Sequence, residues 1–119
     1  MAVPILKQGP FLIATIQAAL TDTDVLQLRD DVMAQVTRHR SRGIIVDVTA
    51  LDVMDSFVSR SLQGISRMTR LRGATTVIVG IQPEVAFAMV QLGMSFEDVQ
   101  TALDLEEGLA LLEAGFGGS

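Results

Sequence analysis

Cysteine, tryptophan and tyrosine are absent from the 119-residue chain, and histidine occurs once. Without cysteine there is neither a disulfide framework nor a thiolate metal site. A domain of this length needs neither, since it buries roughly two-thirds of the surface of its unfolded chain. The absence also agrees with a reducing compartment, so a cytoplasmic location is expected. Without tryptophan and tyrosine there is little platform for stacking bases. The formal net charge of −5 lacks the basic footprint that nucleic acid requires, so no nucleic-acid partner is expected. The lone His39 supplies neither a nucleophile–base–orienter set nor a histidine metal site. It stands in the one basic cluster, Arg38-His39-Arg40-Ser41-Arg42. That cluster reads first as cations offsetting a helix C-terminus, with a phosphate-binding patch as the alternative.

Long apolar runs are missing too. Charges interrupt each one before the ~18 residues that a membrane span needs. Met1-Ala2-Val3-Pro4 lacks the basic-then-apolar opening of a signal peptide, and none is expected. No Gly-x-x-x-x-Gly-Lys-Ser/Thr or Gly-x-Gly-x-x-Gly stretch joins a strand to a helix, so no phosphate loop is read. Neither a cofactor nor a metal is expected, and the chain reads as a non-enzyme.

What is present is an apolar fraction of 49% and a mean hydropathy of +0.42, enough to fill a core and leave apolar surface for partners. Pro4–Lys7 and Phe11–Ile16 read as strands joined by a Gly9-Pro10 turn. Thr21-Asp22-Thr23-Asp24 offers N-caps for a helix whose stripe is Val25, Leu28, Val32 and Val36, ending near Arg40. Gly43–Val48 and Thr75–Gly80 read as strands covered on both faces. Between them a helix is predicted from Ser56 to Leu71 on Val58, Leu62, Ile65 and Met68. Pro83 opens a third helix with Val85, Ala88, Met89 and Leu92. A short extended piece lies around Val99-Gln100-Thr101. Asp104 and Glu107 form a capping-box-like pair before a last helix on Leu105, Leu109 and Leu112. The fold class is therefore α/β. A mixed sheet, made of an N-terminal hairpin plus parallel strands, carries about four helices. One domain is expected over residues 1–114, with Gly115–Ser119 as a flexible tail.

Asp47, Asp52 and Asp55 fall around one loop, and nothing in the sequence marks the pocket that acid–base chemistry would require. They read as solvated loop and helix-start acids. Either Asp55 or Ser56 can cap the helix that follows. Ser56 admits a second role. A phosphate there would add roughly −1.5 to −2 charges at a helix N-terminus that tolerates them. With Asp52 and Asp55 it would change the surface that a partner meets, without refolding.

The segment Val46-Asp47-Val48-Thr49-Ala50-Leu51-Asp52-Val53-Met54-Asp55-Ser56-Phe57 resembles the signature loop of STAS domains, the fold of anti-sigma-factor antagonists. It is most similar to the RsbS-type scaffolds of the bacterial stressosome. Gly80–Ala86 and Ala102–Leu109 agree with that subfamily. The resemblance implies a phosphorylatable, non-catalytic scaffold with its phosphoserine at Ser56 and a switch loop of Asp52, Asp55, Ser56 and Phe57. It implies co-assembly with RsbR-type sensor paralogues, sequestration of an RsbT-type serine kinase until phosphorylation releases it, and resetting by an RsbX-type phosphatase. Such a protein would regulate the general stress response. A homodimer and a large hetero-oligomer are expected. The alternative is a stand-alone antagonist that binds an anti-sigma kinase in a small complex. Stand-alone antagonists usually follow the serine with a small residue and glycine. Here Phe57 and Val58 follow, which favours the scaffold. Ser59, Ser61 and Thr49 rank below Ser56, with Thr49 read as structural.

Overall fold

Gly9, at a positive φ of 58°, and Pro10 turn the chain back on itself. They join β1 (Ile5–Gln8) to β2 (Phe11–Thr15) as an antiparallel hairpin with Gln8 opposite Phe11. Strands and helices then alternate: α1 (Asp22–His39), β3 (Gly43–Asp47), α2 (Ser56–Leu71), β4 (Thr75–Val79), α3 (Pro83–Gln91), β5 (Gln100–Ala102) and α4 (Leu105–Gly117). The computed structural model describes residues 3–17, 20–93, 96 and 99–117. One five-stranded sheet has the order β1-β2-β3-β4-β5, and β2 through β5 are parallel. The mixed α/β architecture read from the sequence is the one observed.

The period-2 alternation of strand side chains divides the core. Leu12, Ala14, Ile44, Val46 and Ile78 face one side. There they meet Val25, Leu28, Val32 and Val36 of α1, Val58, Leu62 and Ile65 of α2, and Val85 and Met89 of α3. Ile13, Ile45, Val77 and Val79 face the other side, against Leu112 of α4 with Leu105 and Leu109 half-buried beside it. Three helices on one face follow from a strand order that advances in a single direction through crossovers of one hand. On the second face α4 lies close to the sheet because residue 108 is glycine. A Cβ there would sit 2.7 Å from Val79 Cγ1.

Local chemistry sets the helix ends. Thr21 and Asp24 form a reciprocal capping box at the start of α1. Asp104 accepts from Glu107 N–H (2.9 Å), while the Glu107 carboxylate accepts from Leu103 N–H (3.3 Å). The α4 helix runs through Gly117, into the stretch read from the sequence as a tail, whereas Gly118 and Ser119 lie outside the described residues. Two of the apolar stripes are narrower than their spacing suggests. In α3 only Val85 and Met89 are buried, and Ala88 and Leu92 face outward. In α2 Met68 faces outward and Thr69 is buried in its stead.

Candidate functional site

Because β2–β5 are parallel, their C-terminal ends lie on one edge, and the loops after them gather there. The edge is laced by backbone bonds. Ile16 N–H donates to Asp47 O (2.9 Å), Val48 N–H to Val79 O (3.0 Å) and Gly80 N–H to Ala102 O (3.2 Å). From this frame the loop after β3 crosses to α2.

Its first half is fixed. The Asp47 carboxylate accepts from both Thr49 N–H (2.9 Å) and Thr49 Oγ1 (2.6 Å), an Asx-type turn. Leu51 N–H closes a second turn onto Val48 O (2.9 Å). Gln82, in the loop before α3, donates from Nε2 to Thr49 O (2.8 Å). Two residues before Gln82, Gly80 has φ +79°, and a Cβ on it would run into Thr49 Oγ1. Leu51 and Met54 are buried and hold the loop to the core, while Asp52 and Val53 between them are exposed.

The second half presents the serine. Asp55 is the N-cap of α2, and its side chain accepts from Val58 N–H (2.8 Å). Ser56 is therefore the first helical residue. It is exposed, and among the hydrogen bonds of the described residues none uses its hydroxyl. The structure resolves the two capping options in favour of Asp55. The Ser56 hydroxyl is open to solvent at the positive end of α2.

The other candidates sit differently. Asp52 and Asp55 are exposed beside Ser56, whereas Phe57 is half-buried against the core. Ser59 is only 3% exposed, Ser61 is half-buried, and the Thr49 hydroxyl is held by Asp47. Asp47 is occupied in ordering its own loop. His39 ends α1, at the opposite edge of the sheet from this loop. Among the described residues no cluster of three or more His, Cys, Asp or Glu could hold a metal ion, and no helix is long and apolar enough to cross a membrane.

Two features were not read from the sequence. The Gln82–Thr49 bond joins residues 33 apart, which no local pattern reports. The α3 helix exposes Phe87 and Val90, and Leu103 lines a shallow cavity of about 360 Å³ with Ile81, Ala86 and Ala102.

The STAS domain model matches residues 2–108, and the chain belongs to that family. Within it the chain is similar to RsbS of Moorella thermoacetica, solved as a serine-to-glutamate variant. The two are 35% identical with a TM-score of 0.80, over 93% of this chain and 94% of that one. A chain of the stressosome, described as a signal integration and transduction hub, is 34% identical with a TM-score of 0.75, over 92% of this chain and 96% of that one. The RsbT co-antagonist protein RsbRA of Bacillus subtilis is 31% identical over 83 residues, 70% of this chain. The chain spans only 30% of the length of that co-antagonist.

Proposed function

We propose that the chain is a non-catalytic, cytoplasmic scaffold of a stressosome. It retains an RsbT-type serine kinase and releases it once Ser56 is phosphorylated. The observation that carries this reading is the division of labour at the start of α2. Asp55 does the capping, so the exposed Ser56 hydroxyl has no structural task. The solved serine-to-glutamate variant of Moorella RsbS supports it, since that exchange places a negative charge at a serine. The likeness to a stressosome chain and to an RsbT co-antagonist supports co-assembly with RsbR-type paralogues in a large hetero-oligomer, with a homodimer as its smaller unit. An RsbX-type phosphatase would reset the serine.

A phosphate on Ser56 would stand beside Asp52 and Asp55. It would raise the local negative charge by roughly 1.5 to 2 and repel an apolar or acidic partner face. The exposed Phe87 and Val90 of α3 offer apolar surface to a partner. A co-purification assay with the kinase tests the reading. Ser56→Asp is expected to retain less kinase than wild type, and Ser56→Ala to hold it after ATP is added. Equal retention by all three would reject the switch.

A further inference from the structure

Leu71 closes α2 with its side chain almost wholly in water. It is 88% exposed, more than any other large apolar residue among the described ones. Met68, one turn earlier, is exposed on the same side of the helix. The buried stripe of α2 ends at Thr69, so packing within the chain gives residue 71 no reason to be apolar. Its nearest charged neighbours along the chain are Arg67, Arg70 and Arg72, and α2 contains no acid. Leu71 thus stands as an apolar knob in a basic stretch, just before β4 begins.

The complement lies past the other end of β4. There Ile81, Ala86, Ala102 and Leu103 line the shallow cavity of about 360 Å³, with Glu107 on its wall. The Glu107 carboxylate accepts from Leu103 N–H (3.3 Å), and the neighbouring Asp104 and Glu106 are exposed. Every Lys and Arg of the chain stands at or before Arg72, so no cation occurs in α3, β5 or α4. A shallow hollow at the small end of ligand-site volumes suits one protruding side chain better than an enclosed small molecule. Charge decides which surface supplies that side chain. Two knobs face to face would set arginines against arginines, and two hollows would set carboxylates against carboxylates. Like charges across an interface are costly. Knob against hollow brings opposite signs together and takes the leucine out of water.

We propose that Leu71 of one copy seats in the cavity formed by α3, β5 and the start of α4 of a second copy, in a head-to-tail contact between a basic rim and an acidic one. The contact is heterologous, so it extends into a row or closes into a ring instead of ending at a pair. It gives the scaffold a way to assemble. Neither Ser56 nor a kinase takes part in it, so its failure would leave the phosphorylation reading standing.

Sedimentation velocity of the full chain over a concentration series tests it, with Leu71→Gln as the knob variant and Ala86→Lys as the hollow variant. The wild-type mass should rise with concentration, and less steeply in high salt. Each variant alone should associate at least about tenfold more weakly. An equimolar mixture of the two should associate again, because Ala86→Lys keeps its leucine and Leu71→Gln keeps its hollow. A mixture that stays as small as its parts would overturn the proposal, as would a wild-type mass that is constant up to about 1 mM. Hydrogen exchange of the wild type at low and high concentration needs no variant. Slowing is expected around Leu71 and over residues 102–107, and slowing confined to other segments would overturn the proposal too.

Discussion

The side chain of Gln82 donates to the backbone carbonyl of Thr49 at 2.8 Å, although Gln82 itself holds the N-cap position of α3. That helix start makes no side-chain cap bond of its own and opens instead with Pro83, whose missing N–H lessens the need for one. Gln82 is thereby left to tie the loop before α3 to the loop that leads to Ser56. The apolar face of α3 and the serine are thus set in one frame.

Removing that tie should loosen the loop and spare the core. Gln82→Ala is expected to cost about 0.5–1.5 kcal/mol, the usual net value of one hydrogen bond. Amide hydrogen exchange should quicken over residues 49–55 and stay unchanged in β3 and β4. Uniform quickening across the sheet would assign Gln82 to global stability instead.

Gly80 should tolerate no side chain. At φ +79°, with Thr49 Oγ1 in the path of a Cβ, Gly80→Ala is expected to destabilise the fold by about 1–3 kcal/mol in urea unfolding. Adding Thr49→Ala should recover part of that loss, because it removes the obstructing hydroxyl and leaves the backbone strain. A strictly additive double variant would show that the two residues do not meet.

The two residues at the start of α2 should separate cleanly. Asp55→Ala is expected to cost about 1 kcal/mol through loss of the cap. Ser56→Ala should stay within about 0.5 kcal/mol of wild type, as surface substitutions do. Chemical denaturation of both decides it, and the reverse order would make Ser56 the cap.

Close approach of α4 to the sheet depends on residue 108. Gly108→Leu is expected to lift α4 from Val79 and Ile45 and to cost about 1–3 kcal/mol, in the range of core overpacking. Thermal unfolding, together with a loss of exchange protection confined to α4, measures it.

Much of this fold is legible in the sequence because its signals are local. The apolar runs at Gly43–Asp47 and Thr75–Val79 carry enough β-branched residues to be strands, and α2 begins and ends at Ser56 and Leu71, as its spacing predicts. Periodicity fails where tertiary partners decide. At the end of α2, spacing favours Met68, yet Thr69 turns inward because its hydroxyl bonds to Thr76 Oγ1 (2.9 Å) and to Ser66 O (3.0 Å). Once paired, a buried hydroxyl there costs little. The outward-facing Leu92 has the opposite cause. The α3 helix is nine residues long and buries one narrow stripe, so its remaining apolar residues are left for surface. At the site, the Asp-Ser pair shows in the sequence that a cap is present. Only the geometry, with Val58 N–H on Asp55, shows which residue provides it.

The central claim is that Ser56 is the switch. Its most direct test is peptide mass spectrometry of the intact chain after incubation with ATP and an RsbT-type kinase. The expected result is a single phosphate on Ser56, none on the buried Ser59, and none at all in Ser56→Ala. An unmodified chain, or phosphate carried only at another residue, would contradict the account and leave Ser56 an ordinary first residue of a helix.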